Sequence, residues 1–96
     1  IHDLCVEHNI PVWCGGMTEL GIGRAQNVSF ASLPGFAQLA HDVAASDRYF
    51  AEDITIPYVN ITKDCTIIVP DDTNGVKYEV DEKQIEKMMV AHEIFK

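Results

Sequence analysis

The chain has 96 residues, 47% hydrophobic and 23% charged, with 7 Lys+Arg against 15 Asp+Glu for a formal charge of -8. That length allows one small domain at most, and the apolar share is that of a folded chain. The negative field excludes nucleic acid and anionic membranes as natural partners, no apolar run approaches the roughly 20 residues of a membrane span, and no basic-then-apolar leader opens the chain, so a soluble, cytoplasmic protein is expected.

In chain order, Ile1, Leu4, Cys5 and His8 recur at helical steps, an amphipathic stripe already under way at Ile1 with no cap before it, as expected of a chain taken from a longer one. Asn9 suits the C-cap, and Pro11 forbids further helix. Residues 10–14 lack polar alternation and predict a short parallel strand covered on both faces. Gly15-Gly16 ends it. Ile22, Ala25, Val28, Ser29, Ser32 and Leu33 predict a helix over 21–33, stopped by Pro34-Gly35. Residues 39–44 follow as a second short strand, and Ser46-Asp47 offers an N-cap for a turn through Arg48, Tyr49 and Phe50.

Beyond Pro57 the character changes. Residues 65–69 and 76–80 are β-rich and joined across Asn74-Gly75, which predicts an antiparallel hairpin or two loosely paired strands. Asp81 with Gln84 forms a near capping box for a closing helix striped by Ile85, Met88, Met89 and His92. Cys5, Cys14 and Cys65 are odd in number and lack CxxC spacing, so reduced structural thiols are expected rather than disulfides or zinc ligands.

The chemistry-bearing stretch is residues 13–24, WCGGMTELGIGR. A dinucleotide fingerprint fails because its third glycine would fall at Gln26, and no GK[ST] makes a P-loop. Two readings stay open: a glycine-lined turn whose helix start, Gly21 to Arg24, offers free N–H groups to an anion, or a plain strand-to-helix turn. Glu19 is a candidate site carboxylate at a strand's carboxyl end, or else a dipole-complementing charge or surface partner of Arg24 worth about 0–1 kcal/mol. His41 and Asp42 would point to opposite faces of a strand, which disfavours a joint metal site. Asp71-Asp72 with Asn74-Gly75 lacks calcium-loop spacing. No nucleophile elbow is present.

The run over residues 11–36, of the form VPVWxGGMxExGIGRAxNxxxASLPxF, and the D-(two residues)-A-S-D-R-Y run at 42–49 resemble the C-terminal part of the enolase superfamily. The resemblance is to its o-succinylbenzoate synthase and N-acylamino acid racemase branch, and VPDDTNGVKYEVDEKQIEKM, residues 69–88, is similar to that family's ending. It implies an α/β fold, a (β/α)8 barrel with an N-terminal α+β capping domain. Residues 1–60 would be the last βα units, with strand seven at 10–14 and strand eight around 39–44; residues 61–96 would be the tail returning to the cap.

The chemistry implied is abstraction of a proton α to a carboxylate, by paired lysines, giving an enediolate held at a divalent metal, Mg2+. The reaction would be a dehydration in menaquinone synthesis, racemisation of N-acylamino acids, or both. None of those lysines or metal ligands maps onto this chain, so the stretch alone is expected to be inactive and to bind no metal. What maps is the substrate rim: Gly15, Gly16, Met17, Glu19 and Tyr49. Implied partners are a small carboxylate substrate, the rest of the barrel and cap, and further copies in a homo-oligomer. Muconate cycloisomerase or dipeptide epimerase is the alternative within the superfamily, and a non-catalytic anion-binding or assembly module the alternative outside it. The segment 36–42, FAQLAHD, departs from the family pattern F-T-L-P-G-D by one extra residue and by Ala40-His41 in place of Pro-Gly.

Overall fold

Helix α1 spans His2–Glu7 and closes as a Schellman motif: Asn9 takes φ 55°, its N–H reaches Val6 O at 3.1 Å, and Ile10 N–H reaches Cys5 O at 2.8 Å. Asn9 therefore caps the helix as expected, because an Asn tolerates the left-handed region that turns the last carbonyls inward. The computed structural model describes residues 1–69 and 78–95. The apolar stripe of α1 does not reach the core of this chain, since none of its residues is buried and Leu4 is 59% exposed. Contact is made instead by His2 and Val6 against Gly35, where an added Cβ would lie 2.5 Å from each.

Neither residues 10–14 nor residues 39–44 form the expected strands. One backbone hydrogen bond joins the two segments, Asp42 N–H to Cys14 O at 2.9 Å. The next position is taken by a side chain: Cys14 N–H donates to His41 Nδ1 at 3.1 Å. With an imidazole standing where a neighbouring carbonyl would accept, the ladder does not propagate along this pair.

Helix α2 covers Gly21–Ala31, two residues short of the expected end. Ser29 Oγ and Ser32 Oγ donate to the carbonyls of Ala25 and Ser29, and Leu33 lies at φ -66°, ψ 144° ahead of Pro34, which disfavours helical backbone before it. A 3₁₀ turn over Pro34–Phe36 then sets Phe36, 3% exposed, between the rings of His2, Phe30 and His41.

A second 3₁₀ turn, Ser46–Arg48, lies where a short helical turn is expected, but Ser46 does not cap it. Its N–H donates to Val59 O at 2.8 Å and its Oγ accepts from Val59 N–H at 3.0 Å, so the serine clasps a distant backbone segment.

Strand β1 (Thr55–Ile56) pairs antiparallel with β2 (Glu79–Val80), Thr55 opposite Val80 and Ile56 opposite Glu79. Of the expected pairing between 65–69 and 76–80, residues 79–80 pair elsewhere, while residues 76–77 lie outside the described residues. Ile67 instead bridges Ile61 around a turn clasped by Thr62 and Thr66, whose hydroxyls lie 2.7 Å apart, with Cys65 at φ 57°. Asn74-Gly75, Val76 and the Asp71-Asp72 pair lie outside the described residues. Helix α3 (Glu82–Met88) begins as expected, Asp81 Oδ1 accepting from Gln84 N–H at 3.1 Å, but ends before Met89 and His92. Lys87 Nζ meets Glu52 at 2.7 Å, tying α3 to the segment before β1.

A core of Ala25, Val28, Val59 and Tyr78 gathers Ile22, Val43 and Ile67 around it. It is small. The Cα radius of gyration is 15.5 Å, against about 12.5 Å for a compact domain of this length, and Ile1, Met17, Ile68, Val90, Ile94 and Phe95 are all more than 70% exposed. The largest fully buried side chains besides Val59 are polar: Arg24, Thr55, Asp53 and Ser46. That polar interior sits around the first turn of α2.

Candidate functional site

Cys14, Gly15 and Gly16 run beside Asp42 and Val43, and the fit is tight: a Cβ on Gly16 would lie 2.1 Å from the Asp42 carbonyl oxygen. Glycine is required there so that two backbones can touch, whatever else lies above them. Gly15 is exposed, with only ordinary contact to the Trp13 ring at 3.5 Å, and Met17 is 77% exposed.

Beyond Met17 the chain folds back on the carboxylate of Glu19. Its Oε1 accepts from Met17 N–H at 2.8 Å and from Asn27 Nδ2 at 3.0 Å. Partial desolvation pushes the carboxyl up, but hydrogen bonds from the backbone N–H groups of Glu19 itself and of Met17, from Asn27, and the charge of Arg24 outweigh it and hold Glu19 below the usual carboxylate value. Its ionised form therefore contributes stability that is present above the unfolded value near 4.5 and is lost as pH falls through the lower folded value. In a carboxyl NMR titration Glu19 should have its midpoint below 4.5, and Glu19→Gln should remove that part of the acid sensitivity; a midpoint at or above 4.5 contradicts the loop geometry.

Arg24 is not a surface partner of Glu19. It is 1% exposed, and its guanidinium donates to three backbone carbonyls: Glu19 O at 2.6 Å, Ala44 O at 2.8 Å and Ala45 O at 2.5 Å. Its Cζ lies 5.9 Å from the centre of the Tyr49 ring, which is half exposed and also receives Arg48. Arg24 thus joins the loop that carries Glu19 to the turn that carries Tyr49.

At the helix start Gly21 to Arg24, one reading of which offered free N–H groups to an anion, the Gly21 N–H is already taken from within. Gly21 N–H donates to Asp53 Oδ1 at 2.7 Å, and the same oxygen accepts from Ile54 N–H at 2.7 Å. Asp53 is 1% exposed and Gly21 is buried, so an external anion has no access to that N–H. Asp53 is the residue that sequence reasoning missed. The signal was present: Leu20 at the N-cap makes no side-chain cap bond, so the acceptor had to come from elsewhere in the chain.

His41 is a structural acceptor and Asp42 is exposed, so the two do not converge on one site. Among the described residues no three His, Cys, Asp or Glu side chains gather in a way that could hold a metal ion, and no helix is long and apolar enough to cross a membrane. An apolar cleft of ≈ 350 Å³ is lined by Val28, Ala31, His41, Val43, Ile61 and Ile67 among others. None of the expected rim residues Gly15, Gly16, Met17, Glu19 and Tyr49 lines it.

No family model matches the chain. It is 44% identical over 95 residues to an o-succinylbenzoate synthase of Geobacillus kaustophilus, covering 99% of this chain and 24% of that protein. It is 59% identical over 59 residues to an N-succinylamino acid racemase of Amycolatopsis sp, covering 62% of this chain and 16% of that protein. Among solved structures it is similar to an enolase-superfamily member from Listeria innocua, with a TM-score of 0.81 and 38% identity over 91% of this chain and 23% of that one. A probable mandelate racemase from Alicyclobacillus acidocaldarius gives a TM-score of 0.78 at 30% identity, covering 93% of this chain and 23% of that one. The chain spans about a quarter of the length of the curated relatives it matches along nearly its whole length.

Proposed function

The chain belongs to the enolase superfamily, corresponding to the C-terminal part of its barrel proteins, and from that premise we propose that it forms the substrate rim of an o-succinylbenzoate synthase, an N-succinylamino acid racemase, or an enzyme doing both. The observation that carries this is the 44% identity over 95 residues to the Geobacillus kaustophilus synthase, with the rim motif inside the matched stretch.

In this reading residues 1–60 are the last βα units of the barrel and 61–96 the tail that returns to a capping domain. Gly15, Gly16 and Met17 line the face that receives the succinyl or N-acyl end of a small carboxylate substrate. Glu19, with Oε1 engaged by its own loop, turns its other oxygen toward that substrate, and the Tyr49 ring closes the adjoining wall. What these residues do is bind and orient. Proton transfer α to the carboxylate falls to groups outside these 96 residues, as does the divalent metal, Mg2+ in our reading; the described residues do not fit a metal, and no step at one is assigned to them. The apolar side chains left exposed and the large radius of gyration support a stretch built to pack against more of a barrel rather than a free-standing anion-binding or assembly module.

The test is turnover by the purified full-length protein, with dehydration of the cyclohexadiene precursor followed by absorbance and racemisation of an N-succinylamino acid by polarimetry. Activity on at least one is expected, and residues 1–96 alone should show none. A folded full-length protein inert towards both substrates would sink the reading.

A further inference from the structure

Arg24 is the largest fully buried side chain among the described residues, yet it pairs with no carboxylate among them. Its three hydrogen bonds end on carbonyls of two separate segments, Glu19 on one side and Ala44 and Ala45 on the other, and its Nε finds no partner among the described residues. A buried guanidinium spread over backbone acceptors is a geometric device: its planar fork donates from two nitrogens held at a fixed separation and so fixes the distance between the segments it joins, whereas the three donors of an ammonium all leave one nitrogen. Those segments carry Glu19 at one end and lead within four residues to Tyr49 at the other, with the Tyr49 ring beside the same guanidinium.

We propose that Arg24 is the positioning residue of the rim, setting the span between Glu19 and Tyr49 and through it the affinity for the acyl end of the substrate. This rests on the functional reading above. Arg24 itself touches no substrate; it acts through the two segments it holds. Because proton transfer lies elsewhere in that reading, loosening the span weakens binding without altering the acid and base, and small displacements of positioning groups have large kinetic effects.

The experiment uses the full-length enzyme with Arg24→Lys, Arg24→Met and, as a control for stability alone, Val28→Ala in the apolar core. For Arg24→Lys the expected result is KM raised by about tenfold with kcat within about twofold and an unchanged pH profile of kcat. Arg24→Met should raise KM further where it folds, and Arg24→Lys decides the matter where it does not. Val28→Ala should lower the urea midpoint and leave KM as in the parent. An active parent enzyme whose KM is unmoved by Arg24→Lys, or moved equally by Val28→Ala, would overturn the inference and leave the functional reading standing. A parent inert towards both substrates would overturn the functional reading and this inference with it.

Discussion

Replacing Gly16 by alanine should destabilise the protein by about 3 kcal/mol or more, because the new methyl has nowhere to go. Its ideal position is 2.1 Å from the Asp42 carbonyl oxygen, 3.2 Å from that carbonyl carbon and 3.7 Å from Val43 Cα. All three are backbone atoms, so no rotamer change relieves the overlap, and the segments bearing Cys14 and Asp42 must part. That parting would break Asp42 N–H to Cys14 O and Cys14 N–H to His41 Nδ1, the contacts that keep the two segments together. Gly15→Ala, where the nearest atoms are Trp13 ring carbons at 3.5 Å, should cost much less. Urea denaturation of both variants checks this; equal midpoints would show that the close approach at Gly16 is not what requires glycine.

Asp53→Ala should cost about 3 kcal/mol. One buried carboxylate oxygen receives two N–H donors, from Gly21 and Ile54, each at 2.7 Å. Hydrogen bonds to a charged partner contribute about 1.5–3 kcal/mol apiece, and truncation leaves the buried Gly21 donor at the positive end of α2 and the partly buried Ile54 donor without that acceptor. The full sum is not expected, because Asp53 Oδ2 is itself buried without a partner among the described residues and its removal returns part of the loss. Asp53→Asn retains an acceptor for the two donors and should lose only about 1 kcal/mol. Hydrogen exchange at Gly21 and Ile54 amides locates the effect: both should exchange faster in Asp53→Ala than in Asp53→Asn. Protection unchanged in Asp53→Ala would refute the long-range cap.

These two effects come from the parts of the molecule that the sequence disclosed least. Local rules succeeded where a residue meets neighbours within one turn: Asn9 closing α1, Asp81 opening α3 on Gln84, Pro34 ending α2. They failed where the partner lies far along the chain. Ser46, next to a turn, suggests a cap and is instead bound to Val59, and Glu79–Val80 pairs back to Thr55–Ile56 rather than to residues 65–69. His41 looked like a strand residue and serves as an acceptor in place of one. The family resemblance of residues 13–24 was legible, but the hydrogen-bonding roles within the stretch were not. Arg24, for which a surface pair with Glu19 was one of the readings, is buried on backbone carbonyls, and the Gly21 N–H of the helix start is taken by Asp53.

By itself the sequence determined the helices, most of their ends and, through the residue pattern at 11–36 and 42–49, the superfamily, because these depend on local backbone preference and on strings of residue types. Only the tertiary structure decided which backbone groups find partners. A buried N–H or carbonyl must be satisfied by whichever acceptor or donor the folded chain brings to it, and in this chain the groups that answer, Asp53 to Gly21, Arg24 to Ala44 and Ala45, Ser46 to Val59, lie 13 to 32 residues away.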